Sequence, residues 1–399
     1  MAPQRSGAGG RDEGERRAPH HRKDNMPLRI GTARAAPGRI KYGAYDLVAH
    51  PVGGADTMPV ILAQGDPAGP VFWVLAGIHG PEHAGLQVIH RTITRDLVRR
   101  LYGTVIALPA LNPAGLRTMK RQAYYHNGDP NRLWPDGKPH SAPSPDDDPP
   151  SSLEQAYGRV FEDIRQTGGY AVDLHNAWIG SVSFVFRDRV FYRNDGSPQE
   201  RQAARAAALK VDSQVAAMCA AYGHAIVQEM PVKNYLSHKL HRSTTAAITN
   251  LLRLPAVTME LGTGEVPNPA IVRAAAAGLR NIMRWAGMLP GDPEPITGIP
   301  RPMPGFPCRR MSAPRVSAPC VIHHLCEAGD SIHAGQPLAE VRDMWGRPIA
   351  EKVIKSEHDG WVIGRNSGVL YYPGQPIYGL AVRDELKTVQ PYPKDFFKS

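Results

Sequence analysis

Two imidazoles and a carboxylate crowd into one short stretch, His79-Gly80-Pro81-Glu82-His83. These are metal-ligand and proton-transfer side chains, and a turn built on glycine and proline can aim His79 and Glu82 at one point. A third ligand has to come from elsewhere, and His175 closes another apolar run, Ala171-Val172-Asp173-Leu174-His175. Two histidines, one carboxylate and an open position describe a catalytic zinc site, where the ion lowers the pKa of a bound water and polarises a carbonyl. One Zn2+ per chain is therefore expected, on His79, Glu82 and His175. His83 is the rival ligand, because His79 and His83 would share a helix face at i, i+4. Gly80-Pro81 predicts that the helix begins only there, which favours Glu82. Glu260 ends Val257-Thr258-Met259-Glu260 and precedes Leu261-Gly262-Thr263-Gly264, a place suited to a general base. Arg121 and Arg132 supply fixed guanidinium charge, one for a developing oxyanion and one for a substrate carboxylate. Each type also has an ordinary use: a strand-end histidine is often only hydrogen-bonded structure, and arginines are often surface charge.

Such side chains must be carried by strands that end together. The unbroken apolar run over 71–76 has the length of a strand buried on both faces, and Leu86, Ile89, His90 and Ile93 then recur at helical spacing. A second buried strand occupies 103–109, and strand, helix, strand is the parallel α/β unit. Further strands are predicted to end at His175 and Glu260, with others over 184–186 and 225–228, and short alternating segments between Arg29 and Leu62 lead into the sheet. Helices are predicted over 152–166, 198–222, 244–252 and 268–287. In open parallel sheets ligands bind in the crevice beyond the carboxyl ends of the strands, and the ligand-type residues stand there.

The chain has 399 residues, 42% hydrophobic and 21% charged, enough for one large domain and a smaller one. No apolar run reaches membrane-spanning length, so no membrane partner is expected. Residues 1–27 read as a disordered tail: rich in Gly, Arg, Glu and Pro, they hold no apolar segment of the signal-peptide kind. Cys219, Cys308, Cys320 and Cys326 form no CxxC pair and read as free thiols in a reducing compartment, pointing to a cytoplasmic enzyme or binding protein. The net charge of +10 is spread along the chain with no basic run interleaved with aromatics, so nucleic acid is not an expected partner. A mild attraction for anionic substrates is what remains of it. Proline, aspartate and serine dominate 135–151, which reads as an exposed loop. From Leu289 the texture changes to prolines, glycines and short strands. A catalytic domain over 28–290 and an all-β domain over 299–390 are expected.

In their order along the chain these segments resemble the succinylglutamate desuccinylase/aspartoacylase family of the zinc carboxypeptidase superfamily. GIHGPEHAG is similar to that family's first zinc motif, which puts its ligands on His79 and Glu82. Asn112-Pro113-Ala114-Gly115, then Arg121, then Asp129-Pro130-Asn131-Arg132-Leu133-Trp134-Pro135 look like its NPxG, Arg and DxNRxFP segments. The resemblance implies transition-state stabilisation by Arg121 and carboxylate recognition by Asn131 and Arg132. Asp173-Leu174-His175 is similar to its DLH and Glu260-Leu261-Gly262 to its ELG, implying the third ligand and the base. It covers about residues 60–390. The implied fold is α/β: a zinc-carboxypeptidase-like mixed sheet flanked by helices, with a smaller C-terminal all-β, barrel-sandwich-like domain. Departures from the pattern, namely a longer 121–131 segment with Tyr124, Tyr125 and His126, and Trp134 for the usual Phe, bear on the substrate's side-chain pocket. Biotin and lipoyl carriers share the barrel-sandwich fold, but Lys355 lacks their methionine neighbours and no covalent cofactor is expected on it.

The leading expectation is a zinc amidohydrolase that removes an acyl group from a small N-acylated amino acid or amine. A metallocarboxypeptidase acting on a peptide or amino-acid conjugate is the alternative within enzymes. A catalytically silent binding protein is the alternative outside them, disfavoured by the intact set of His79, Glu82, His175 and Glu260. The β domain is expected to wall one side of the cleft or to join subunits of a homo-oligomer.

Overall fold

The computed structural model describes residues 27–138, 149–178 and 180–397. The expected tail over 1–27 thus lies, but for its last residue, outside the described residues, as does most of the loop over 135–151. Eight strands build the N-terminal part of the sheet: β1 (Arg39–Ala49), β2 (Ala55–Gln64), β3 (Asp66–Ala76), β4 (Tyr102–Leu108), β5 (Tyr170–His175), β6 (Phe184–Arg187), β7 (Ala225–Gln228) and β8 (Ala256–Glu260). Their spatial order is β7-β6-β8-β5-β3-β4-β2-β1. The sheet is mixed. β4, β3, β5 and β8 run parallel, β6 turns antiparallel against β8, and β2 and β1 close the far edge antiparallel. Register sets where the strands end: Leu75 lies opposite Asp173 and His175 opposite Glu260, so β3, β5 and β8 finish side by side.

The central strands are apolar on both sides because both faces are covered. On one face Phe72, Val74, Val172 and Val257 pack against helices Ala84–Thr92, Pro198–Tyr222 and Pro269–Trp285. On the other, Trp73, Leu75 and Ala171 meet helix Ser152–Thr167. Burying each of the larger side chains contributes roughly 1.5–3 kcal/mol. The helices start where local chemistry allows: Ser151 with Glu154 and Ser197 with Glu200 form reciprocal caps, and Asn268 accepts from Ala270 and Ile271 ahead of Pro269. The segment expected to be one helix over 244–252 divides into an α turn, Thr244–Ala247, and a wider π turn, Ile248–Leu252. There Asn250 turns its side-chain amide onto the backbone of Arg189 and Phe191.

Strands β9 (Cys308–Ser312), β10 (Ser331–Ile332), β11 (Gly360–Arg365) and β12 (Tyr378–Arg383) extend the same sheet to twelve strands, in the order β10-β11-β12-β9-β7. The junction is a parallel pairing of β9 with β7 at Gln228 and Arg309. Cys320–His324, Pro337–Arg342, Pro348–Lys355 and Leu370–Tyr371 form a separate four-stranded sheet that shares a core with this extension. One buried ion pair staples the junction. Arg189 reaches Asp384 at 2.7 Å while also donating to Gln228, Glu229 and Met230. All four cysteines are buried and free, and among the described residues no helix is long and apolar enough to cross a membrane.

Candidate active site

The loop after β3 is shaped by backbone contact. A Cβ on Gly80 would stand 2.0 Å from the carbonyl oxygen of Gly115 and 2.2 Å from that of Lys120, so only glycine lets the loop close against helix Pro113–Thr118. Asn112 caps that helix through Gly115 N–H and donates to Ile78 O at 3.2 Å, pinning the loop from the other side. This is what the NPAG segment does locally. The next helix starts at Ala84, leaving His79 and Glu82 in the turn and His83 at the cap.

Glu82 lies between two imidazoles. His79 Nδ1 is 2.8 Å from its Oε1 and His175 Nδ1 is 2.9 Å from its Oε2. One ligand-type atom from each of the three residues lies within 4.8 Å of the others. The opposite ring nitrogens are held too: His79 Nε2 by Asp129 at 3.1 Å and His175 Nε2 by Asp173 at 2.9 Å. Carboxylates behind the rings fix orientation and tautomer, leaving Nδ1 of each ring for a cation, the usual support of a metal-binding histidine. Burial opposes ionisation of Glu82, but the two imidazoles outweigh it and hold its carboxyl well below the usual range. Burial likewise opposes protonation of His175, and Asp173 and Glu82 overcome it, raising the ring well above its ordinary pKa. Protons here satisfy charges that a divalent cation would satisfy instead, so the donor set fits zinc.

Glu260 stands beside His175 in the register of β8 and β5. Burial pushes its carboxyl up to about 8, and its Oε2 is buried with no hydrogen-bond partner. A carboxyl near the ligand cluster but outside it, with an oxygen uncommitted, has what a proton carrier needs. Arg121 donates to Asp129 at 2.8 and 3.2 Å and lies 3.6 Å from Glu82, half-exposed at the rim. Asn131 accepts through its side-chain oxygen from the N–H and hydroxyl of Thr244, and its Nδ2 is 3.4 Å from His175 Nε2. Arg132 spends Nε on His238 O and Nη1 on Asn131 O. Asp129 caps the short turn Pro130–Arg132, and although burial opposes its ionisation, His79, Arg121 and Arg132 hold it well below the carboxylate range.

All seven residues singled out from the sequence, His79, Glu82, Arg121, Asn131, Arg132, His175 and Glu260, line one cavity of about 340 Å³. His83 does not; its Nε2 is buried without a partner. Nor do the departures from the family pattern, since Trp134 is fully buried and stacked on Tyr157, and Tyr124 is exposed beside His50. The sequence reading missed Asp129 and Asp173 as supports and Phe186, Asp188, Glu229 and Arg310 as cavity walls. Asp173 could have been found, because i−2 from His175 on a strand points to the same face. Arg310 left no local signal; it arrives from the C-terminal strands through the β7–β9 pairing.

The succinylglutamate desuccinylase/aspartoacylase catalytic-domain family model matches residues 68–286, more than half of the chain. An N-alpha-acetyl-L-2,4-diaminobutyric acid deacetylase of Halomonas elongata is 22% identical over 322 residues, covering 78% of this chain and 82% of the relative. A succinylglutamate desuccinylase of Yersinia pestis is 33% identical over 109 residues, 27% of this chain and 32% of the relative. Among solved structures, the product-bound ectoine utilization protein EutE (DoeB) of Ruegeria pomeroyi superposes with a TM-score of 0.64 at 17% identity, over 90% of this chain and 99% of that one. A succinylglutamate desuccinylase/aspartoacylase of Rhodobacter sphaeroides gives 0.61 at 17% identity, over 86% and 96%. At these identities the structural likeness speaks for the fold.

Proposed function

Because the chain belongs to the succinylglutamate desuccinylase/aspartoacylase family, we propose that it is a zinc-dependent deacylase cleaving the amide bond of a small N-acylated amino acid. The observation that carries the proposal is the cluster in which Glu82 is gripped by Nδ1 of His79 and of His175, each ring backed by a carboxylate, beside a buried Glu260 with a free oxygen. The Halomonas deacetylase and the Yersinia desuccinylase point to the same class of bond. His79, Glu82 and His175 would hold the ion. Zinc, when bound, supplies a Lewis acid that lowers the pKa of water and polarises the amide carbonyl.

The remaining work falls to the chain's own groups. Glu260 takes the proton of the attacking water and delivers it to the departing nitrogen, both within one buried carboxyl's reach. Arg121, steered by Asp129, presents its guanidinium to the oxyanion as charge develops. Asn131 and Arg132 hold the substrate's carboxylate and fix the amide over Glu260. We take 28–290 as the catalytic unit and 299–390 as a β unit that completes the cavity wall.

The test is Glu260→Gln, which keeps size and polarity. The variant is expected to bind zinc at one equivalent and to lose about 100- to 10,000-fold in kcat on the N-acyl amino acid that the wild type hydrolyses best. Full activity of Glu260→Gln would remove Glu260 from the mechanism. A wild type loaded with zinc that hydrolyses no member of an N-acyl amino acid panel would remove the deacylase reading.

A further inference from the structure

The three cavity guanidiniums differ in what they have left to give. Arg121 commits Nε and Nη2 to Asp129, and Arg132 commits Nε and Nη1 to backbone oxygens. Arg310 commits only Nε, to Glu229 Oε2 at 2.7 Å, and among the described residues neither of its Nη atoms has a hydrogen-bond partner. Its pose is nevertheless fixed. The guanidinium lies over the ring of Phe186 at 5.2 Å, and Glu229 is itself 4% exposed and held by Met230 N–H at 3.0 Å. The backbone carbonyls of Glu229 and Met230 are in turn gripped by buried Arg189, which is bound to Asp384 just past β12. The C-terminal strands therefore deliver a pre-set fork with its donor end uncommitted at the wall of the reaction cavity.

We propose that Arg310 is a specificity-determining residue that binds an anionic group of the substrate, a carboxylate remote from the scissile amide and distinct from the one assigned to Asn131 and Arg132. The proposal rests on the deacylase reading and deepens it. A planar fork fixed through Nε and presenting two Nη atoms matches a carboxylate, and holding it costs little ordering because Glu229 and Phe186 already set the pose. The neighbouring acids do not make this a cation site. Glu229 is paired with Arg310, and both oxygens of Asp188 accept hydroxyls, from Tyr235 at 3.1 Å and Thr245 at 2.8 Å.

The experiment uses zinc-loaded, full-length protein and matched substrates that differ by one charge. N-acetylglutamate against N-acetylglutamine tests a carboxylate on the amine side, N-succinylalanine against N-butanoylalanine tests one on the acyl side, and N-acetyllysine serves as the cationic arm. In one matched pair the wild type is expected to prefer the acid by about 10- to 100-fold in kcat/KM. Arg310→Gln should collapse that ratio towards one, and Arg310→Lys should restore part of it, with zinc content unchanged in both. Equal losses on acid and neutral partner in Arg310→Gln would make Arg310 merely structural and overturn the proposal. So would a wild type that prefers N-acetyllysine. Calorimetry of glutamate against glutamine and of succinate against butanoate, on wild type and Arg310→Gln, runs beside the kinetics. If no substrate turns over yet the dianion binds through Arg310, the deacylase reading fails and the anion site stands. If neither dianion is preferred, the anion site fails whatever the turnover.

Discussion

Replacing Arg189 with Met removes the buried staple between the N-terminal and C-terminal strands of the sheet while keeping a long apolar stem. Arg189 and Asp384 are both 0% exposed in their side chains and 2.7 Å apart. Without the guanidinium, Asp384 keeps Leu386 N–H at 3.1 Å and a distant Arg309 at 3.9 Å, and the carbonyls of Glu229 and Met230 lose a donor. Stranding one member of a buried pair costs about 3–5 kcal/mol. With roughly 2–4 °C per kcal/mol for mid-sized domains, Tm should fall by on the order of 10 °C. The double variant Arg189→Met/Asp384→Leu removes the stranded charge, so its loss should fall short of the sum of the two single losses by about 1–3 kcal/mol. Thermal and urea unfolding of the four proteins, monitored by near-UV circular dichroism, provide the cycle. A single variant losing under about 1 kcal/mol, or a double variant whose loss equals the sum, would refute the staple.

Asp173→Asn should weaken zinc binding about 10- to 100-fold without unfolding the chain, because the carboxylate behind His175 sets its ring; competition against a chelator reads this, and unchanged affinity would count against that support. Burial pushes His224 down to about 3, so between about pH 6.5 and pH 3 the unfolded chain takes up a proton that the folded chain refuses. Stability should therefore fall as pH drops through that window, and His224→Gln should lessen the fall in urea midpoint between pH 7 and pH 4; an unchanged fall would show that His224 is not its source. Gly80→Ala drives a Cβ into two backbone carbonyls, so it should lose both zinc binding and several degrees of Tm, whereas a normal Tm with full zinc would show that the loop has room.

The candidate ligands and base were legible because each closes an apolar run or stands in the turn just after one, and strands that end in ligand-type residues in an α/β sheet finish at one crevice. Register then pairs Glu260 with His175 and Asp173 with Leu75. Helix limits were legible where caps announce them: Ser197 and Gly223 bound Pro198–Tyr222 as the sequence implies. What escaped was non-local. That β6 lies parallel to β7 and antiparallel to β8 leaves no trace in composition, yet it sets Phe186 in the wall beside Thr258. Arg310 sits in a stretch that reads as the start of a separate β unit, and a pairing as short as that of Arg309 with Gln228 brings it to Glu229. Trp134 shows the converse, a motif residue whose place in the signature suggested the pocket and whose size took it into the core.

His79, Glu82 and His175 are proposed to hold the zinc on which amide hydrolysis depends. The most direct test of this assignment is to strip the protein with a chelator, then titrate zinc back while recording bound metal and hydrolysis of the best N-acyl amino acid together. The stripped protein should show no turnover, activity should recover fully at one zinc per chain, and His175→Ala should have neither zinc nor turnover. Undiminished hydrolysis by the stripped protein, or a His175→Ala variant that binds one zinc and turns over normally, would contradict the assignment.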